Sequence, residues 1–298
     1  MRDITVSDLW KDINEDSLNI SSKEDLENFK SNNVNFRIAL WNPETNGLRY
    51  LKMLIYNHCS NLSGENFERL KKIKKRTYGM PITVKYNDED VCLDYLRAVY
   101  ELGFIESKIS LDNLSVMEIG AGYGRTCHAI LSNCNVKDNI IIDLEPSLKL
   151  ARCYLGEVLT SKQFNKIKFI SNEEFKNMDN DLQADIAINI DSFGEMTENT
   201  VRAYLDYINE QCTYFYTQNA VGKYYDKELD NHVHGENTVK HALTTGLLRD
   251  ILDIHDSDDI YKHSRNFIKV YNPNKWEILL DSWSGTISHY WQALYKKG

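Results

Sequence analysis

Three glycines, Gly120, Gly122 and Gly124, alternate with Ala121, Tyr123 and Arg125 directly after the strand-like segment Val116-Met117-Glu118-Ile119. Glycine has no Cβ, so a bend of this kind can take positive φ and let a ligand lie against its amides. An acid, Glu118, sits just before the bend. A second acid, Asp143, closes the apolar run Ile140-Ile141-Ile142 roughly 20 residues on, where a carboxylate can hold a ribose hydroxyl pair. Together these residues read as a nucleotide loop. The plainer role for Asp143 is a helix cap before Pro146, with Glu145 as the alternative acid. A dinucleotide fingerprint counted from Gly120 needs a small residue at position 125, because the helix must pack closely on the sheet with its N-terminus facing a pyrophosphate. Position 125 is Arg125; counted from Gly122 instead, the small residue would be Cys127, and the first glycine would no longer follow the strand directly.

The pattern E-x-G-x-G-x-G after a strand resembles the first motif of class I S-adenosylmethionine-dependent methyltransferases. The resemblance implies that Glu118, Gly120, Ala121, Gly122 and Gly124 surround the methionine part of S-adenosyl-L-methionine and later of its product S-adenosyl-L-homocysteine. It also implies that Asp143, with Leu144 beside it, binds the ribose. That family often has an acid beside adenine after the third strand of its sheet. Here the segment is Ser171-Asn172-Glu173-Glu174, a departure that leaves Asn172 to donate and accept through its amide or to serve as an ordinary loop residue.

Methyl transfer is an in-line displacement, and holding two reactants aligned supplies roughly 7 to 11 kcal/mol of the barrier. In an open α/β sheet, ligands collect beyond the carboxyl ends of the strands, so strand-closing residues are the candidates. Asp191, after the apolar segment ending Asn189-Ile190, is expected to meet the cofactor's ammonium, anchor the acceptor or bind a divalent metal, unless it or Ser192 is simply a helix cap. A hydroxyl acceptor needs a base, and the connection after the next strand contains Asn231-His232-Val233-His234. His232 or His234 is the expected base, with Asp191 as orienting partner. The H-x-H spacing also suits a metal, but two histidines without cysteines are a weak signal, so no metal site is expected. The basic run Arg69-Leu70-Lys71-Lys72-Ile73-Lys74-Lys75-Arg76 reads as a solvated helix face or as a site for diphosphate.

With 298 residues, 42% of them hydrophobic and only four prolines, the chain can bury a large core. A net charge of -9 disfavours nonspecific nucleic-acid binding. Six scattered cysteines without a C-x-x-C pair read as reduced packing residues. No apolar run suits a signal peptide or membrane span, so a cytoplasmic protein is expected.

From about residue 112 strand-like and helix-like segments alternate, as in a parallel sheet covered on both faces. Strands are expected at 114–119, 139–143, 166–170, 184–190, 212–218, 265–271 and 286–296, with helices at 125–133, 146–160, 197–210 and 236–253. Helical patterns at 23–31, 47–58, 63–76 and 88–103 precede them. The expected fold class is α/β: a Rossmann-like, seven-stranded class I methyltransferase sheet at 111–298 with an antiparallel finish, and a mostly helical N-terminal cap at 1–110.

A narrower resemblance rests on RTYGMPITVKYNDEDVCLDYLRAVYELGFI, VMEIGAGYGRTCHAIL, IIDLEPSLKLARCYLGEVL, INIDSFGEM and YFYTQNAVGKYY. Together they are similar to the sugar O-methyltransferases of bacterial surface-polysaccharide gene clusters. The resemblance implies methylation of a hydroxyl on a small-molecule or glycan acceptor, including a nucleotide-linked sugar, with a homodimer as one open arrangement. Other readings remain: an amine or phosphoramidate-type oxygen as acceptor, a catalytically inactive cofactor-binding subunit, or a dinucleotide oxidoreductase.

Overall fold

Proline at 43 suits a first helical turn, because its fixed φ is already helical and it needs no amide partner there. The structure, a computed structural model, describes residues 22–28, 42–178 and 182–298. Helices α1 (Lys23–Asn28) and α2 (Pro43–Ser60) come first, and α2 is kinked at Asn46. Residues 29–31 of the expected first helix lie outside the described residues. The chain divides into two compact units, Met1–Asn57 and His58–Gly298.

In the second unit, α3 (Gly64–Lys72) starts where Ser63 Oγ accepts from the Asn66 amide at 3.2 Å. A hairpin follows, β1 (Val84–Tyr86) and β2 (Glu89–Val91), turning on Asn87 and Asp88, both at positive φ. It delays the helix expected from residue 88, and α4 spans Leu93–Glu106. The main sheet then builds through β3 (Ser115–Ile119), α5 (Arg125–Asn133), β4 (Asp138–Asp143), α6 (Glu145–Val158), α7 (Ser161–Phe164), β5 (Ile167–Ser171) and α8 (Asn172–Asn177). It continues with β6 (Ile186–Ile190), a 3-10 turn at Ser192–Gly194, α9 (Glu198–Gln211), β7 (Tyr214–Ala220), α10 (Lys227–Asp230) and α11 (Glu236–Ala242). Helix α12 (Ser257–Val270) and strands β8 (Glu277–Trp283) and β9 (Tyr290–Lys296) complete the order.

The seven strands run β5-β4-β3-β6-β7-β9-β8; β5 to β7 are parallel, and β9 is antiparallel to both neighbours. This is the Rossmann-like α/β fold expected, with its antiparallel finish. Alternate residues serve opposite faces. Met117, Ile119, Ile140 and Ile142 pack with Val201, Tyr204 and Ile208 of α9 and Phe267 of α12. On the other face Val116, Ile141, Ile186 and Ile188 pack with Leu102 and Ile105 of α4, Ile130 of α5 and Leu148 and Leu155 of α6. Burying each such side chain stabilises by about 1.5–3 kcal/mol before entropy is counted. Five of the six cysteines are buried, and all are free.

Two expectations at the end of the chain are corrected. Residues 265–271 are not a strand but the end of α12, whose start is set by Asp256 accepting from the amides of Asp258 and Asp259. Its apolar positions Ile260, Phe267 and Tyr271 fall at helical spacing on one buried face. The penultimate strand is β8, at 277–283. The helix expected over 236–253 ends at Ala242, because Gly246 at φ +74 lies against Gly194, where an added Cβ would come 3.1 Å from the Gly194 carbonyl oxygen. No helix among the described residues is long and apolar enough to cross a membrane.

Candidate functional site

Strand order reverses at β3, whose neighbours are β4 on one side and β6 on the other, so a crevice opens beyond their carboxyl ends. The glycine bend lies there. All three glycines take positive φ, at +76, +58 and +93, but for different reasons. A Cβ on Gly120 would stand 2.1 Å from Ser192 Oγ, and one on Gly124 would stand 2.7 Å from Leu155 Cδ1. A Cβ on Gly122 would meet nothing within 4 Å. Gly122 therefore faces open space, while the other two are closed in by protein.

Asp143, at the end of β4, ties this bend to the neighbouring strand. Its Oδ2 accepts from the Gly122 amide at 2.8 Å and its Oδ1 from the Leu144 amide at 2.7 Å. A carboxylate has about four acceptor sites, so capacity remains for a ligand. Leu144 beside it is 59% exposed, and Ala121 is nearly buried. Glu118 is buried with Oε2 unpartnered. Burial pushes its carboxyl up to about 7, against the hydrogen bond from Thr126 and the charge of Arg125. Asn172 opens α8, and its Oδ1 accepts from the Tyr204 hydroxyl at 3.3 Å, leaving its amide NH2 without that tie.

Arg125, which argued against a dinucleotide loop, turns onto α4. Its guanidinium pairs with Glu101 at 2.8 Å and donates to the Asp94 carbonyl at 3.0 Å, while Tyr123 donates to the Asp94 carboxylate at 3.2 Å. Helix α4 is thus fastened across the bend. The same helix carries Arg97, whose guanidinium lies 3.8 Å from Asp191 and whose Nε is buried without a partner.

Asp191 follows β6 at φ +70, an unfavourable conformation for a side-chain-bearing residue. Beneath it is a buried amide network. Asn189 donates to the Ile119 carbonyl and to Ser192 Oγ, and Asn219 donates to Asn189 Oδ1 and Thr217 Oγ1. The Asp191 carboxylate accepts a hydrogen bond from Tyr290. Burial first, and then the adjacent Asp191 charge, push the Tyr290 phenol upward and keep it protonated as a donor.

Asp191 and Tyr290 also wall a cavity of about 570 Å³ with Lys223, His232, His234 and His289. His232 is 8% exposed, with Nδ1 buried and unpartnered. Asp230 Oδ1 accepts from the His232 amide at 2.8 Å and so sets the loop, which passes through positive φ at Asn231 and His232. His234 lines the same cavity and is exposed. Neither histidine is bonded to Asp191, whose hydrogen-bond and ion-pair partners are Tyr290 and Arg97; the expected orienting contact is absent among the described residues. His289 also has Nδ1 buried without a partner, and burial, aided by His255, lowers it to about 4, so it is neutral at physiological pH. Lys223 Nζ donates to the Gly194 carbonyl at 2.8 Å.

The structure thus brings Asp191, His232 and His234 to one cavity. Glu118, Asp143, Asn172 and the glycines Gly120, Gly122 and Gly124 do not line it. Arg97, His289 and Tyr290 were not singled out from the sequence. One signal pointed to Tyr290: an antiparallel strand begins where its parallel neighbours end, and the register pairs Tyr290 with Ala220. Half of the cations in the basic run are paired with carboxylates: Arg69 with Glu65 and Glu106, Lys71 with Glu68, and Arg76 with Glu89, while Lys75 donates to the Glu157 carbonyl. Among the described residues no group of three or more His, Cys, Asp or Glu is arranged to hold a metal.

No protein-family profile matches the chain, and no curated protein matches it. Among solved structures it is similar to an O-methyltransferase family 2 protein from Planctomyces limnophilus in complex with apigenin, at 11% identity and a TM-score of 0.46. That match covers 69% of this chain and 58% of the other. The mitomycin 7-O-methyltransferase MmcR matches at 12% identity and a TM-score of 0.45, over 66% and 53%. The methyltransferase domain of a bacterial Hen1 protein matches at 14% and 0.46, over 67% and 97%. The chain thus spans little more than half the length of the first two. Likeness at these scores assigns it neither family nor substrate.

Proposed function

We propose that this chain is an S-adenosylmethionine-dependent O-methyltransferase acting on a hydroxyl of a sugar-like acceptor. One observation carries the reading: Asp191 stands in the wall of the histidine-lined cavity and directly precedes Ser192, which packs against Gly120 of the bend. When bound, the donor supplies an activated methyl group. The residues fit such a donor. Gly122 leaves space where a side chain would stand, Asp143 keeps acceptor capacity for ribose hydroxyls, and Leu144 offers an exposed apolar surface beside it. Arg97 and Asp191, opposite charges 3.8 Å apart, match the carboxylate and ammonium of an amino-acid tail. Asn172 is the proposed contact for adenine.

His232 is the proposed general base. The buried setting of its ring in the cavity wall suits removal of the acceptor proton better than the exposed position of His234 does. Neutral His289 and protonated Tyr290 would orient the acceptor by hydrogen bonds. Isothermal calorimetry with S-adenosylhomocysteine and with NAD(P) tests the reading. Saturable uptake of the first alone is expected, and uptake of neither defeats the proposal.

A further inference from the structure

We infer that residues 225–244 form a lid that swings on two fixed ends, Tyr224 and Thr245, and carries His232 to and from the acceptor. The inference rests on the methyl-transfer reading above for the role of His232, while the motion follows from the bonding of the segment itself.

The two ends are tied to the body of the protein. The Lys223 amide donates to the Asp250 carbonyl at 2.8 Å and the Leu252 amide to the Lys223 carbonyl at 2.9 Å, so the chain leaves the sheet and returns at one place. Gly222 permits that close return, since a Cβ there would stand 2.7 Å from the Asp250 carbonyl oxygen. Tyr224 packs against the core, and its ring meets His289 edge-on. On the returning side Thr245 Oγ1 donates to the Gly194 carbonyl at 2.8 Å, where Lys223 Nζ also donates, and the Gly246 amide donates to the Met196 carbonyl at 2.7 Å.

Between these ends the segment is bonded to itself. Asp230 accepts from the Tyr224 hydroxyl and the His232 amide, Lys227 pairs with Glu236 at 3.4 Å, and Thr238 Oγ1 donates to the His234 carbonyl at 3.0 Å. Among the described residues no hydrogen bond or ion pair joins residues 225–244 to any part of the protein outside 224–245. Burial follows the same division. His232 is the one buried residue of the segment, and its ring lies 5.1 Å from that of Tyr225, within the segment. Helices α10 and α11 contain no buried residue, and Val233 between them is 75% exposed.

Helices this short have little stability of their own, and a region with few buried apolar side chains opens at a much lower free-energy cost than core strands do. The segment nevertheless faces the site. It contributes His232, His234, Val239 and Leu243 to the cavity, and the body contributes Asp191, His289 and Tyr290. A piece of chain that is bonded internally, fixed at its ends and lightly seated between them moves as one unit. Raised, it admits the acceptor and withdraws the base; lowered, it shuts out water and returns His232 to the acceptor hydroxyl. Gly122 and Asp143 lie outside the segment, so donor uptake does not depend on its position.

The experiment uses the whole chain with exposed Cys153 replaced by serine, the other five cysteines being buried. Nitroxide labels are placed at Val233→Cys on the lid and Lys149→Cys on α6, and in a control at Lys149→Cys and Arg202→Cys on two helices of the body. Pulsed electron resonance is expected to give the lid pair a distance distribution more than about 2 Å broader than that of the control, or two separate distances. Equal widths would mean a fixed wall and overturn the inference. In a second variant a short Gly-Ser linker replaces residues 226–244. It should keep a cooperative thermal transition and bind S-adenosylhomocysteine within about threefold of the parent. Loss of that transition would make the segment part of the fold and overturn the lid. Failure of the parent itself to bind S-adenosylhomocysteine overturns the methyl-transfer reading and leaves the label distances to decide the motion.

Discussion

The three glycines of the bend have identical side chains, but their surroundings ask different things of them. Gly120→Ala would drive a methyl group into Ser192 and the buried amides behind it, a destabilising change. Gly122→Ala meets no protein atom and carries only the strain of its positive φ, of order 1 kcal/mol. Thermal denaturation should therefore leave Gly122→Ala folded, while calorimetry finds its affinity for S-adenosylhomocysteine reduced by tenfold or more, as its new methyl group occupies ligand space. A variant that binds normally would remove the bend from the cofactor site. The two histidines of the loop differ just as clearly. His232→Ala should lower kcat by roughly 10² or more, whereas exposed His234→Ala should stay within a few-fold of the parent, as measured by transfer of labelled methyl groups to a sugar acceptor. Parity between the two variants would discard His232 as the base.

Helix α4 is the element that turns a loop into a site. Through Glu101 it neutralises Arg125, and through Arg97 it faces Asp191, so one helix braces both halves of the crevice. Glu101→Ala strands a guanidinium that is about nine-tenths buried, and denaturant titration should show a loss of about 3–5 kcal/mol. Double replacement of Glu101 and Arg125 by apolar residues of similar volume should recover much of it. The strands on either side of the bend were legible because Val116–Ile119, apolar but for Glu118, and Ile140–Ile142 are short buried runs between turn residues. The misread element was α12, whose last residues Phe267-Ile268-Lys269-Val270-Tyr271 imitate a strand when taken alone. Its Asp256 cap was the missed signal. The β1–β2 hairpin was hidden for a similar reason, since Asn87-Asp88 is a weaker turn signal than a glycine pair.

Across the whole molecule, buried ionisable groups of two kinds, one carboxyl and two imidazoles, oppose each other in pH. Glu118 is raised from its usual value to about 7, so its protonated form favours folding at low pH, and that contribution is lost as pH rises from about 4.5 to 7. His128 is lowered to about 4 by burial, and His289 likewise; their contributions are present above about 6.5 and are lost as pH falls toward 4. Glu118→Gln removes only the first slope. Denaturant titrations at about pH 4.5 and pH 7.5 should show the variant gaining up to about 3 kcal/mol relative to the parent at the higher pH. A difference independent of pH would show that Glu118 does not titrate in this window. The donor half of the candidate site was legible in the sequence because its residues are local to one strand, one bend and the end of the next strand. The acceptor half was less so. Arg97 and Tyr290 reach Asp191 from a distant helix and a distant strand, and only the folded arrangement brings them together.

Strand β9 inserts between β7 and β8, carrying Tyr290 to Asp191 as it does so. During translation β7 must therefore wait with one side open while everything up to β9 emerges from the ribosome, a template on which another nascent chain could zip. Competence for catalysis and protection against aggregation would then arrive in a single late step, the docking of one strand.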